Sequence, residues 1–170
     1  MTKDAEKTKS SILLEKPEGG GERPLDSLLQ GQKDLKLLVI ALSNLLSNKM
    51  IGPDKLVAPR FDYVKASGQA KGYKIKDQAL AIRALLATYK LTGIEAYLWS
   101  AQGIYFAMNK QMFNMKREFY VSQGAERAEF TETVEMLRSL MELRPYLLAT
   151  SVPQLDRVIK PWLDSLKALP

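Results

Sequence analysis

The chain has 170 residues, a net charge of +6 and neither cysteine nor histidine. Without cysteine there is no disulfide or thiolate nucleophile, and without histidine the commonest metal ligand and the usual general base near neutral pH are missing. Serine–histidine catalysis and histidine-bound haem or zinc are therefore excluded within this chain. The composition predicts a single non-catalytic domain that has no cofactor and no metal.

The N-terminal segment, residues 1–23, is mostly charged and polar and includes a run of three glycines. This composition predicts a flexible arm that precedes a helical domain over residues 24–170. We expect the arm to lie along a partner chain. The apolar run from Ile12 to Leu14 is too short for the core of a signal peptide, so a cytoplasmic location is the default expectation.

The first predicted helix begins near Pro24, which suits a first helical turn, and runs to about Lys49. Its apolar residues follow a helical period, which predicts that one face is buried. The stripe consists of Leu35, Leu38, Leu42, Leu45 and Met50. The longest apolar stretch, 35–46, is shorter than the roughly 20 residues that span a bilayer, so a buried helix is favoured over a transmembrane segment.

The positive charge is concentrated in residues 49–90, where nine Lys or Arg stand against three Asp and account for the whole net excess. Within this window, residues 52–71 form a long connection, and loops of that length are often functional. We predict that it binds a protein partner, because Tyr and Arg are enriched at interface hot spots. The candidate partner-binding residues are Arg60, Phe61, Tyr63, Lys65, Lys71 and Lys74.

Three other interpretations of this basic region remain open. An anionic surface is an alternative partner for the lysines. Nucleic acid is less favoured than protein, because the cations are mostly lysines in a loop without a reading motif. A solvated surface without a partner is the simplest alternative, since runs of charge usually face water.

Two further helices are predicted over 74–91 and 95–115, joined by a tight turn in which Gly93 is a left-handed cap. Gly103 lies inside the second of them, where it lowers helix stability and so indicates the close approach of a neighbouring helix. The buried stripe of this helix is predicted to contain Leu98, Ala101, Tyr105, Met108, Met112 and Met115.

The last two predicted helices cover 125–146 and 152–167, and Pro161 is expected to kink the second. Glutamates recur every three residues near the start of the first, at Glu126, Glu129, Glu132 and Glu135. We expect them to stabilise that helix N-terminus rather than bind a metal. The sequence therefore predicts an all-α protein of about five helices, arranged in antiparallel hairpins.

One stretch of the chain resembles a known family of helical proteins. It comprises DQALAI (77–82), LL (85–86), YKLTG (89–93) and EAYL (95–98). This pattern resembles one hairpin of the (α/α) six-hairpin toroids, which include glycosidase-like and sugar-epimerase-like proteins. The segment Glu118-Phe119-Tyr120 resembles the strand-like exit that follows such a hairpin. Tetratricopeptide-like helical pairs use similar chemistry.

The resemblance implies a partial toroid or a helical array, because this chain supplies fewer helices than the six hairpins need. It also implies an alternative function, a carbohydrate-binding or carbohydrate-active domain. Its pocket would contain Asp77, Tyr97, Trp99 and Tyr105, with Asp77 as a general acid. The simpler interpretation is that Asp77 is a helix N-cap or a stabilising anion in a first helical turn. The leading hypothesis is a non-catalytic accessory subunit of a larger multi-chain assembly.

Overall fold

The computed structural model describes residues 24–69, 72–116 and 118–167, so the predicted N-terminal arm and Lys71 lie outside the described residues. The all-α class is confirmed. The helices are α1 Pro24–Leu45, α2 Ile75–Thr92, α3 Glu95–Gln111, α4 Phe130–Leu143 and α5 Val152–Lys167. Two short antiparallel hairpins pair β1 Phe61–Asp62 with β2 Ser67–Gly68, and β3 Phe113–Asn114 with β4 Phe119–Tyr120.

The chain divides after residue 34 into two units. In the first unit, the described residues 24–34 belong to α1, and the Gln30 amide donates to Asp34 Oδ1 at 2.9 Å. The second unit begins at Leu35 and contains the rest of α1 and all the other elements. The candidate site belongs to this second unit.

Helix α2 lies at the centre of the second unit, where it packs against α3 and against α4. Only Gly93 and Ile94 separate α2 from α3, so α3 runs back along α2. Gly93 has a φ of +73° and its N–H donates to the Tyr89 carbonyl at 2.7 Å. The predicted left-handed cap is therefore confirmed. The buried side chains of α2 are Ile75, Gln78, Ala79, Ala81, Ile82, Leu85, Leu86 and Thr88.

Helix α4 runs parallel to α2. At the start of α2, the Ile75 N–H donates to Ser122 Oγ at 3.0 Å, and Ser122 precedes α4 in the chain. Near the end of α2, the Tyr89 ring meets the ring of Tyr146, which follows α4, at 5.7 Å between centroids. Midway between these contacts, Arg83 of α2 forms salt bridges with two glutamates of α4, Glu135 at 2.9 Å and Glu142 at 3.0 Å.

Helix α5 runs back along α4. Just after α4, the Arg144 guanidinium bonds the Asp156 carboxylate in the first half of α5 at 2.8 Å. Further along α5, the Trp162 ring lies 4.8 Å from the ring of Phe119, which precedes α4 in the chain. The four helices α2 to α5 thus form two antiparallel pairs side by side, in keeping with the predicted arrangement. The toroid resemblance stays a prediction.

The connection between α1 and α2 is held in place by a buried glutamine. Gln78 is fully buried, and its Oε1 accepts the Val57 N–H at 2.7 Å while its Nε2 donates to the Val57 carbonyl at 2.9 Å. The Tyr73 hydroxyl donates to Asp54, and burial together with that carboxylate raises the pKa of Tyr73 to about 12. These bonds fix the chain on both sides of the β1–β2 hairpin.

Helix α3 ends earlier than predicted, at Gln111 rather than near residue 115. The next residues turn into the β3–β4 hairpin, where the Asn114 side chain accepts the Lys116 N–H at 3.0 Å. Met112 stays buried, whereas Met115 is 83% exposed near the hairpin turn. The assignment of Met115 to the buried stripe is therefore wrong, because the chain leaves the helix before reaching it.

Two other expectations about the helices need correction. Helix α4 begins at Phe130 rather than at 125, and its N-cap Glu129 donates its backbone N–H to Glu132 Oε2 at 3.4 Å. Glu126 therefore lies outside the helix. A Cβ built on Gly103 would meet nothing within 4 Å among the described residues, so the predicted close approach of a neighbouring helix at this glycine is wrong.

Candidate functional site

The part of α1 that belongs to the second unit turns polar side chains toward its neighbours. Ser43 is buried, and its Oγ lies 2.7 Å from Thr88 Oγ1 of α2. Next to it, the Tyr97 hydroxyl of α3 donates to Asn44 Oδ1 at 2.8 Å. These two hydrogen bonds set the rotation of α1 about its own axis.

The opposite side of α1 is apolar and uncovered by the described residues. We call this surface the leucine face; it consists of Leu35, Leu37, Leu38, Ala41, Leu42 and Leu45. Its five leucines are each between 42% and 64% exposed. At 3.6 residues per turn the face spans about 160° of the helix and is centred opposite Ser43.

The prediction that Leu35, Leu38, Leu42 and Leu45 are buried is therefore wrong within the described chain. The physical reason is that Ser43, opposite the leucine face, meets Thr88 of α2, and Asn44, at the edge of that face, meets Tyr97 of α3, so the helix cannot also turn its leucines inward. The sequence stripe was correctly placed on one face. Its periodicity did not reveal which face of α1 meets the rest of the chain.

The β1–β2 hairpin presents two apolar side chains at its turn. Asp62 Oδ1 accepts the backbone N–H groups of Val64 at 3.0 Å and Lys65 at 3.1 Å, which closes the turn. Tyr63 is 87% exposed and Val64 is 95% exposed. The Phe61 ring, half-buried, meets the Tyr63 ring edge-on at 5.1 Å between centroids. We call Tyr63 and Val64 the hairpin tip.

A close contact at the base fixes the position of this hairpin. A Cβ on Gly68 would lie 2.5 Å from the Ala58 Cβ and 3.1 Å from the Met50 carbonyl oxygen, so only glycine fits there. The Gln69 N–H continues the pairing by donating to the Arg60 carbonyl at 2.9 Å. The hairpin tip is thus carried on a closely packed base.

A polar cleft of about 400 Å³ lies beside the hairpin, at the start of α2. It is lined by Pro59, Arg60, Gln69, Gly72, Lys74 and Asp77. The structure thus brings two predicted partner-binding residues, Arg60 and Lys74, together with Asp77 from the predicted ligand pocket. Partial burial raises the pKa of Asp77, and the nearby Glu132 adds to the rise while Lys74 opposes it. Asp77 lies in the first turn of α2.

The other residues of the predicted ligand pocket do not join Asp77. Tyr97 and Tyr105 are buried, and Tyr97 lies at the start of α3, beside the far end of α2 from Asp77. Burial raises the pKa of Tyr105, and the Asn109 side chain opposes that rise. Trp99 is 63% exposed. The cleft around Asp77 contains no aromatic side chain among its lining residues.

Sequence reasoning missed an apolar groove of about 390 Å³ between α4 and α5. It is lined by Val134, Leu137, Arg138, Met141, Glu142 and Leu163. The periodic apolar residues of both helices signal that each has an apolar face. The groove itself depends on how closely the two helices pack, which periodicity does not specify.

Within the described ranges there is no group of three or more acidic residues arranged to hold a metal ion. None of the described helices combines the length and the apolar character needed to cross a membrane. No protein-family model, curated protein sequence or solved structure matches the chain.

Proposed function

We propose that this chain is a non-catalytic subunit that binds a partner chain through its leucine face. The observation that carries the proposal is a contiguous apolar surface on α1 that the described residues leave half-exposed. Single apolar residues on a surface are ordinary, whereas contiguous apolar patches mark interaction sites. Residues 37–48 contain no charged side chain, so a partner meets no charge that must be desolvated along this segment.

Burial of the leucine face would contribute a substantial part of the free energy of binding. Completing the burial of a half-exposed leucine contributes about 1 kcal/mol. The five leucines of the face together then contribute about 5 kcal/mol from one chain, which is comparable to the lower estimates of the cost of association. Binding therefore also needs apolar surface on the partner or a second contact.

The hairpin tip and its cations provide that second contact in the proposal. Tyr63 offers a large exposed ring, and exposed Arg60 and Lys65 lie on the same connection. Tyrosine and arginine are favoured interface anchors, and these cations favour an acidic surface on the partner. The predicted contact of the N-terminal arm with a partner lies outside the described residues and stays a prediction.

The alternative of a carbohydrate-binding domain has a test of its own. Of its aromatic candidates, Trp99 has an exposed ring that is free to stack on a sugar, while Tyr97 and Tyr105 are buried. Titration of the chain with a panel of oligosaccharides, followed by tryptophan fluorescence, measures such stacking. A saturable change that Trp99→Phe removes would favour this alternative over the partner-binding proposal.

The proposal is tested by placing a photo-reactive amino acid at Leu38 and irradiating cells that naturally contain the chain. We expect one discrete adduct whose mass exceeds that of the single chain. The matched control places the same group at Lys160, an exposed position on α5. If position 38 labels nothing beyond what the control labels, the leucine face binds no partner and the proposal is wrong.

A further inference from the structure

Four leucines of the leucine face form a row along α1, which we call the seam. The spacing between them is the same in either direction along the chain. Leu35, Leu38, Leu42 and Leu45 are separated by three, four and three residues. Alternating three-residue and four-residue steps are the spacing of side chains that pack between two helices at a small crossing angle. A helix with this spacing therefore fits another helix of the same kind.

We propose that the occupant of the leucine face is a second copy of the same helix, packed antiparallel; this inference rests on the proposed function. A two-fold axis passing midway between Leu38 and Leu42 maps the seam onto itself. It sets Leu35 against Leu45 of the partner subunit, and Leu38 against Leu42 of the partner subunit. Two-fold interfaces require such self-complementary surfaces, and two-fold dimers are the commonest oligomers.

The charge distribution of α1 is compatible with self-pairing. Lys36 is the charged residue of the segment 35–48, and it projects from the same side of the helix as Ser43, away from the seam. Two copies therefore bring no like charges together within the seam. Ala41 lies beside the proposed axis, where its small side chain permits the two helices to approach closely.

A lipid surface is a poorer occupant for this face than a second copy. Helices that lie on membranes carry lysine and arginine on the side opposite their apolar face. Within residues 35–45, the side of α1 opposite the leucine face carries one cation, Lys36, and its Ser43 is bonded to Thr88 of the same chain. The seam spacing also specifies a helical partner, which a bilayer does not require.

Charge-swapped variants test the inference. We expect the unaltered chain to have the mass of two copies by light scattering. The variants Leu38→Glu/Leu42→Glu and Leu38→Lys/Leu42→Lys each set like charges against each other across the axis, so each should be monomeric, with a dissociation constant at least about 100-fold weaker. Mixing the two variants pairs glutamate with lysine and should restore the dimer. A restored dimer also shows that both variants are folded.

Disulfide trapping gives an independent measurement, because the chain contains no cysteine of its own. Antiparallel pairing predicts that the double variant Leu38→Cys/Leu42→Cys forms a covalent dimer on mild oxidation. The matched control is Leu148→Cys, at an exposed leucine far along the sequence from α1, which should not form one at the same rate.

The inference is overturned if the unaltered chain is monomeric at every concentration at which it is soluble. It is also overturned if the glutamate and lysine variants remain dimeric, or if the chain binds lipid vesicles as a monomer through this face. A monomeric chain whose Leu38 position labels a different protein sinks the inference and leaves the proposed function standing. A monomeric chain that labels nothing through Leu38 contradicts both.

Discussion

Ser43 Oγ and Thr88 Oγ1 lie 2.7 Å apart in a buried contact between two helices, although 45 positions separate them in the sequence. Thr88 Oγ1 also donates to the carbonyl of Ala84 at 2.9 Å, so Ser43 provides the hydrogen that the pair shares. This contact turns the Ser43 side of α1 inward and leaves the leucine face on the surface.

Replacing Ser43 with alanine removes this hydrogen bond. Thr88 keeps its bond to the Ala84 carbonyl, so no donor is left unsatisfied, and we expect the free energy of unfolding to fall by about 1 kcal/mol. Urea denaturation measures the change. Ser100→Ala is the matched control, because the exposed Ser100 hydroxyl donates to the Ala96 carbonyl of its own helix. Equal effects of the two substitutions would show that the Ser43–Thr88 contact contributes nothing.

Replacing Gln78 with glutamate exchanges a donor for a charge at a fully buried position. The Val57 carbonyl then loses the amide that donates to it, and a carboxylate enters the core. We expect the free energy of unfolding to fall by about 3 kcal/mol at neutral pH. Gln154→Glu, at an exposed position in the first turn of α5, should change it by less than about 0.5 kcal/mol. A small loss at Gln78 would mean that Val57 is not held by this side chain.

Two glycine substitutions are expected to act in opposite directions. Gly103→Ala meets no atom of the described residues within 4 Å and should raise the free energy of unfolding by about 0.5–1 kcal/mol, because alanine is the better helix former. Gly68→Ala would bring its Cβ against Ala58 and should lower it by about 1–3 kcal/mol. Thermal unfolding of both variants checks the signs. A destabilised Gly103→Ala protein would indicate an unseen neighbour at α3.

The Arg144–Asp156 pair predicts a dependence of stability on pH. The hydrogen bond from the Arg144 guanidinium holds the pKa of Asp156 below its usual value of 3.8. A carboxyl group whose pKa is lower in the folded state stabilises the fold above its unfolded pKa, and that contribution disappears as the pH falls through the folded pKa. Asp156→Asn should therefore lower the melting temperature at pH 7 and have no effect in strong acid.

The control for this prediction is a series of salt concentrations. Salt screens this ion pair because both side chains are largely exposed. The difference in melting temperature between the unaltered chain and Asp156→Asn should shrink as the ionic strength rises. A difference that persists unchanged in strong acid would show that Asp156 acts through packing rather than through its charge.

The features that the sequence predicts well depend on neighbours along the chain. The turn at Gly93 and the helices on either side of it follow from local periodicity and from the left-handed cap. The end of α3 cannot be predicted from local periodicity. The apolar period continues to Met115, but the chain leaves the helix and pairs Phe113 with Tyr120. That pairing joins residues in two strands, and periodicity within one helix contains no information about it.

In the candidate site, too, some features follow from the local sequence and others depend on residues far along the chain. Arg60, in the long connection, and Lys74, just before α2, are both exposed, as expected for charged residues that face water or a partner. The exposure of an aromatic side chain on a helix depends on which neighbour it meets, so Trp99 is exposed while Tyr105 is buried. The rotation of α1 was beyond prediction for the same reason, since it follows from Thr88, a residue far along the chain.

The position of α2 between α3 and α4 has a consequence for how the molecule opens. Its core-facing residues, such as Ile82 and Leu85, are fully buried, whereas the second-unit part of α1 is held to its neighbours by the two hydrogen bonds at Ser43 and Asn44. We expect the backbone amides of α2 to exchange with deuterium only on global unfolding, and those of residues 35–45 to exchange much sooner. Residues 35–45 would then open and close on the rest of the second unit as a separate cooperative segment.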